Sequence, residues 1–339
     1  MNESILVTGG MGFIGSHFIE ELINDTKDYL VVNFDKLTYA ANKNNDLAFR
    51  DHKNYTFVQG DICHSKQLDE VFSEYKVAHV IHFAAESHVD NSIEGPAVFM
   101  NTNCMGTFHL LDRARRFWAE RSFSREPMFL HVSTDEVFGQ LQPGDPPFTE
   151  QTPYDPSSPY SSSKAASDLM ARSFHRTYGL NVIVTNCSNN FGPHQHHEKL
   201  IPTIIRSALK GQAIPIYGNG LNIRDWIYVK DHCKAIKVIF NQGSAGERYN
   251  IGGGVEKTNI DLAKIICHCL DQLSPRKDGK SYQSQISFVN DRPGHDFRYA
   301  ISNEKIGRDF SWAPDPDFEG HLRKTVQWYI DHPDYLGHH

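Results

Sequence analysis

Val7-Thr8-Gly9-Gly10-Met11-Gly12-Phe13-Ile14-Gly15 decides how the rest of this chain is read. An apolar run at residues 5–7 enters glycines at 9, 12 and 15, and a helical pattern follows over about 12–24. That order is a strand turning sharply into a helix. Glycine permits the turn, lets a phosphate approach the backbone and lets helix pack on strand, while the helix N-terminus faces the anion. Alone, such a turn is as readily structural as ligand-binding. The next apolar run, 29–34, ends at Asp35, 20 residues beyond Gly15 (35 − 15). A carboxylate there accepts from both ribose hydroxyls and repels a 2′-phosphate. Together these features predict a dinucleotide site that favours NAD over NADP, although Lys36 softens the preference. The expected cofactor residues of this unit are Gly9, Gly12, Phe13, Ile14, Gly15, Asp35, Lys36, Leu37 and Thr38. Asp61 and Ile62, after a third strand, would reach the adenine; a plain polar loop explains them almost as well.

Outward from this unit, 55–58, 77–85, 128–132 and 182–184 read as strands, separated by helical patterns at about 97–121 and 159–178. The alternation predicts an α/β chain: a Rossmann-type, doubly wound, mostly parallel sheet covered on both faces. Beyond about 190 the texture changes to Pro, Gly, aromatics and shorter strands. The expected division is a cofactor domain at 1–190 and, at 191–335, mainly a smaller mixed α/β substrate-binding lobe, with later helices and strands returning to the first domain.

Composition narrows the partners. With 34 basic against 41 acidic residues, net −7, there is no electrostatic case for nucleic acid. Six cysteines in 339 residues show no framework spacing, which suits a reducing compartment. No apolar run approaches the ~18–20 residues of a membrane span, and a run leading straight into a glycine turn does not read as a signal peptide. The expectation is a cytoplasmic protein with neither membrane nor nucleic-acid partner.

Two further constellations carry chemistry. Ser158 and Pro159 read as helix N-cap and first helical residue, which puts Tyr160 and Lys164 one turn apart on one face. A tyrosine near its free pKa of ~10 is a poor base. A neighbouring ammonium and a positively charged nicotinamide ring would stabilise its phenolate, and Thr134 could bond the same substrate hydroxyl. Outside a dinucleotide fold this Tyr-x-x-x-Lys pair would be an ordinary surface pair. The second is Ser133-Thr134-Asp135-Glu136-Val137-Phe138-Gly139. On an extended strand the two acids would face opposite ways. They can share a ligand only if the strand ends near Thr134 and the chain turns, as Gly139 permits. Paired acids in one pocket have their pKa values pushed apart, leaving a proton donor and a base; a solvated acidic loop is the plainer reading. The histidines at 194, 196 and 197 match no zinc spacing, so no metal is expected. In Cys267-His268-Cys269 the cysteines read as core.

Taken together, these stretches resemble the extended short-chain dehydrogenase/reductases that act on nucleotide sugars, and within them the 4,6-dehydratases. The likeness runs from residue 4 to about 330. It also rests on Phe83-Ala84-Ala85-Glu86-Ser87-His88-Val89-Asp90, Thr185-Asn186-Cys187-Ser188-Asn189-Asn190-Phe191-Gly192-Pro193, Glu198-Lys199-Leu200-Ile201-Pro202, Arg224-Asp225-Trp226, Tyr249-Asn250-Ile251-Gly252-Gly253 and Asp291-Arg292-Pro293-Gly294-His295-Asp296. The acid pair discriminates, since epimerases of the superfamily generally lack both carboxylates and GDP-mannose dehydratases usually keep only the glutamate. Phe138 and Phe191 depart from tyrosines common in the family, and His196-His197 occupy a variable spot.

The resemblance implies tightly held NAD, regenerated each cycle, and dTDP-glucose as donor. Tyr160, with Lys164 and Thr134, would oxidise C4; Glu136 would take the C5 proton; Asp135 would protonate the departing C6 hydroxyl. It adds Phe83, Ala84, Ala85, Ser87, Thr102 and Asn190 to the cofactor contacts. It places Ser87, Thr134, Asn189, Glu198, Lys199, Leu200, Arg224, Asn259, Asp291, Arg292 and His295 around the sugar nucleotide, with Pro215, Ile216 and Tyr217 near its base. It also implies a homodimer through the helices at 97–121 and 158–178, whose Phe108, Leu110, Leu111, Leu169 and Met170 could be core or dimer face. The alternatives are a 4,6-dehydratase on another nucleotide sugar such as UDP-glucose, a nucleotide-sugar 4-epimerase, and a non-catalytic NAD-binding regulatory protein.

Overall fold

The structure, a computed structural model, describes residues 3–24 and 28–337; His338 and His339 lie outside the described residues. Its strands are β1 Ser4–Thr8, β2 Leu30–Asp35, β3 Tyr55–Gln59, β4 Val77–His82, β5 Met128–Thr134, β6 Val182–Cys187, β7 Asn189–Phe191, β8 Ile214–Tyr217, β9 Ile223–Tyr228, β10 Arg248–Ile251, β11 Glu256–Thr258 and β12 Ile286–Val289. The helices are α1 Phe13–Ile23, α2 Ser65–Tyr75, α3 Val89–Glu94, α4 Pro96–Phe99, α5 Thr107–Ala119, α6 Pro159–Tyr178, α7 Leu200–Leu209, α8 Val229–Gln242, α9 Asn259–Leu273, α10 Glu304–Phe310 and α11 Phe318–Asp331.

Seven strands form one sheet in the order β10-β6-β5-β4-β1-β2-β3, and every pair in it is parallel. Successive side chains on a strand point to opposite faces, so a strand covered on both sides must be apolar throughout. In β1, Ile5 and Val7 join one core, with residues of α1 and α8, while Leu6 joins the other, with residues of α2, α5 and α6. All five β1 residues are buried. This is the expected doubly wound Rossmann-type sheet. The chain returns to it after residue 190, as β10 pairs with β6 and α8 packs on α1.

The lower lobe has two small sheets, β11-β9-β7 and β12-β8. Its own core gathers Ile204, Ile214, Ile216, Leu262, Ile266 and Leu322. Cys267 and Cys269 are buried there, as expected of core cysteines.

One helix differs from its sequence pattern. The single helix expected at 97–121 is α4, a π-helical turn at Met100–Gly106, and then α5. The turn rotates Asn103 inward, where its amide bonds both Glu86 backbone groups (2.9 and 3.0 Å) and Ser163 Oγ (2.8 Å). Gly106 lies against Ile62, which a Cβ there would meet at 2.6 Å. A π-turn trades helical regularity for such placements near functional sites. Leu110 and Leu111 are core, whereas Leu169 is exposed. Among the described residues no helix is long and apolar enough to cross a membrane.

Candidate active site

A cavity of about 300 Å³ opens where β1, β4, β5 and β6 end. The crevice outside the carboxyl ends of parallel strands is where ligands bind in open α/β sheets. Its floor is the glycine turn. Gly9 has φ +74°, and a Cβ there would stand 2.7 Å from Ala84 N; one on Gly15 would stand 2.3 Å from Gly9 O. Only glycine fits either position, and the surface so formed is open to a phosphate. Beside it, Asp35 accepts from the Met11 amide (2.9 Å) and the Leu37 amide (2.8 Å). Burial pushes its pKa up, and those amides hold it back. Leu37 has φ +60° and supports Asp35 through its backbone; unlike the other expected cofactor residues, it does not line the cavity. Lys36 pairs with Asp61 at 2.8 Å, so the cation that might have invited a 2′-phosphate is already engaged. Ile62, Thr38, Phe83, Ala84, Ala85, Ser87, Thr102 and Asn190 also line the cavity. The cradle and the acid therefore fit a dinucleotide with free ribose hydroxyls.

The reacting groups converge at the other end. Helix α6 begins with Ser158 as cap, in a reciprocal capping box with Ser161 and with Pro159 at the first turn. This fixes Tyr160 and Lys164 on one face, both buried and both lining the cavity. Lys164 Nζ donates to Val132 O at 2.9 Å. Strand β5 stops at Thr134, and Asp135–Phe138 form a 3₁₀ turn closed by Gly139 at φ +83°. The turn brings Asp135 and Glu136 into the same cavity, as the sequence required. Thr134 Oγ1 meets Asp135 Oδ1 at 3.4 Å and accepts the Glu136 amide at 3.3 Å.

Electrostatics separate the two acids. Burial, and then the Glu136 charge, drive Asp135 well above the carboxylate range. Glu136 is also raised by burial, but the cations of Arg292, Lys199 and Arg224 pull it back. The surroundings thus push the two acids unequally, Asp135 further toward the protonated form than Glu136. Tyr160 stands under opposing influences. Burial, followed by the Glu136 charge, pushes its pKa well above the ordinary tyrosine value, and a hydrogen bond with Thr134 works the other way. The expected lowering invokes a nicotinamide ring as well as Lys164, and the protein groups alone do not supply it, because desolvation outweighs them. Burial lowers Lys164, against the charge of Asp168.

The expected sugar-nucleotide residues divide. Ser87, Thr134, Asn189 and Lys199 line the cavity, and Lys199 Nζ donates to Ser87 O at 2.7 Å. The Asn189 and Asn259 side-chain oxygens are buried without a hydrogen-bond partner among the described residues. Glu198 faces His88 (3.4 Å) and His196 (3.6 Å). Leu200 packs on the lower core. Asp291 pairs with His295 at 2.6 Å. The alternation of β8 turns Ile216 into the core, 1% exposed, while Pro215 and Tyr217 face outward, so that of the three residues expected near the base these two present side chains there. Arg224, expected around the sugar nucleotide, is largely engaged by backbone: Nη1 donates to Ile223 O (2.7 Å) and Nη2 to Asp296 O (3.0 Å). Glu86, Ser188, Gln195 and His196 line the cavity without having been expected there. Glu86 and Ser188 lay inside stretches quoted for the resemblance; nothing in the spacing marked Gln195.

The glycine cradle, the Tyr-Lys pair and the acid pair on one parallel sheet define a nucleotide-sugar-modifying Rossmann protein. Residues 6–325 match the family model described as GDP-mannose 4,6 dehydratase, and the chain belongs to that family. It is 51% identical to dTDP-glucose 4,6-dehydratase 1 of Escherichia coli (strain K12), over 98% of this chain and 94% of that one. It is 52% identical to the dTDP-glucose 4,6-dehydratase of Neisseria gonorrhoeae, over 97% and 96%. A solved dTDP-glucose 4,6-dehydratase from Bacillus anthracis, in complex with NAD, superposes with a TM-score of 0.86 at 44% identity, covering 98% of each chain.

Proposed function

We propose that this chain dehydrates dTDP-glucose to dTDP-4-keto-6-deoxyglucose, with NAD held in the glycine cradle. The observation that carries the reading is the acid pair: Asp135 and Glu136 lie in one cavity with Tyr160, their pKa values pushed unequally. An epimerase needs neither acid, and a binding module needs none of the five reacting residues. Relatives about half identical over nearly the whole chain bear the dTDP-glucose 4,6-dehydratase name.

When bound, NAD would supply the hydride acceptor for C4, the donor for C6 and the positive charge of its oxidised ring. Tyr160 takes the proton from the sugar's O4, with Thr134 holding the same hydroxyl and Lys164 lending its charge. The resulting 4-ketone acidifies the C5 hydrogen. Glu136 removes that proton while Asp135 protonates the C6 hydroxyl, so that water leaves; Glu136 later returns a proton to C5. The net redox change is nil, so NAD should stay bound through the cycle. Residues 1–190 serve mainly the cofactor and 191–335 mainly the nucleotide sugar, the latter through Lys199, Arg292 and their neighbours.

Mass spectrometry of the purified chain with dTDP-glucose and no added NAD tests this reading. A product one water lighter is expected; an isomer of unchanged mass would favour the epimerase. We also propose a cytoplasmic homodimer. Val98, Met100, Met105, Leu169 and Tyr178 are 45–55% exposed along α4, the π-turn and α6, an apolar face that monomers rarely leave open. Light scattering should give twice the chain mass of 38.6 kDa; a particle of single-chain mass would contradict it.

A further inference from the structure

Asp90 stands in the first turn of α3, on the upper side of the cleft. Its two carboxylate oxygens are taken by two residues of the lower lobe. Oδ1 accepts from Arg292 Nη1 at 3.0 Å, and Oδ2 accepts from Tyr217 OH at 3.1 Å. These partners lie 202 and 127 residues away in sequence. They come from adjacent segments, since Tyr217 ends β8 and is paired in register with Val289 of β12, just before Arg292.

Among the described residues the guanidinium is held at one corner, Nη1. Arg292 Nε is buried and has no hydrogen-bond partner among the described residues, and its charge acts on the Glu136 carboxylate. Arg292 is thus anchored at Nη1 by Asp90, while its Nε is left unpaired among the described residues. A surface ion pair would ordinarily be worth little. Here both oxygens of one half-buried carboxylate engage separate side chains from the opposite lobe, which a chance pairing on a solvated face does not require.

We infer that Asp90 is a positioning residue for the nucleotide diphosphate, orienting Arg292 and Tyr217 across the cleft before the ligand arrives. The inference rests on the dehydratase reading, which supplies the diphosphate. An unanchored arginine on a flexible stem must be ordered when the ligand binds, and that cost appears as lost affinity. At saturation the diphosphate itself holds the guanidinium, so turnover is spared.

The experiment is steady-state kinetics with dTDP-glucose for the wild-type chain, Asp90→Asn, Arg292→Lys and the double variant. Asparagine keeps the shape and an acceptor but removes the charge. Asp90→Asn should raise KM by about fivefold with kcat within about twofold of wild type. In the Arg292→Lys background the same change should raise KM by less than about twofold, because the forked partner is already gone. An unchanged KM, a fall in kcat alone, or an equal rise in both backgrounds would overturn the inference while leaving the dehydratase reading intact. A wild-type chain that does not turn over dTDP-glucose would overturn both, and is seen in the same experiment.

Discussion

Glu136→Gln should lower turnover of dTDP-glucose by about 10²- to 10⁴-fold without loosening the cofactor. Glutamine fills the same space but cannot take a proton from C5. The residues that start the reaction, Tyr160, Lys164 and Thr134, are untouched, so C4 oxidation should still proceed. The quenched reaction should therefore contain a 4-keto hexose nucleotide that is oxidised but has lost no water, detected by its mass. The assignment also fixes the acid side of the pH profile. Glu136 acts ionised, so turnover falls as it gains a proton, and burial places that limb above the ordinary glutamate range. Near-normal turnover in Glu136→Gln would remove Glu136 from the role of base.

Tyr160→Phe should cost a similar factor, about 10²–10⁴, but at an earlier step. Tyr160 is 8% exposed and packs edge-on to Phe99 at 6.3 Å, so phenylalanine keeps the ring contacts. What is lost is the hydroxyl that takes the O4 proton. The mixture should then contain neither dehydrated product nor the oxidised intermediate that Glu136→Gln accumulates. If Tyr160→Phe still formed that intermediate, another group would be the C4 base. The structural setting makes this residue sensitive: burial and the Glu136 charge both oppose its phenolate, so its activation depends on Thr134, Lys164 and the positive ring brought by NAD.

The upper half of the fold was legible because its signals are local. The apolar run Ile5–Val7 of β1, glycines with no room for a Cβ, and the Ser158-Pro159 cap each leave a mark within a few residues. The turn after Thr134 was legible by elimination, since an extended strand would have separated the two acids. Other features are set at long range and leave no such mark. The π-turn at Met100–Gly106 is fixed by what Asn103 must reach, Glu86 and Ser163, not by helical periodicity. The stretch 215–217 was read as a unit, whereas strand alternation sends Ile216 to the core and leaves Pro215 and Tyr217 outward. Asp90 lay within a stretch quoted for its likeness, but its partners are too distant in sequence to be inferred from spacing. The setting of Tyr160 is likewise long-range: desolvation depends on everything packed around a group, and a neighbouring lysine at one helical turn is only one part of that.

The central claim is that oxidation at C4 and loss of water at C5–C6 occur in one cavity without net redox change. The most direct measurement uses dTDP-glucose carrying deuterium at C4, with the purified chain, no added NAD, and mass spectrometry with NMR of the product. The expected result is a 4-keto-6-deoxy sugar nucleotide, one water lighter, with the deuterium on C6. Deuterium still on C4 in a sugar of unchanged composition, or a dehydrated product with the label lost to solvent, would contradict the account.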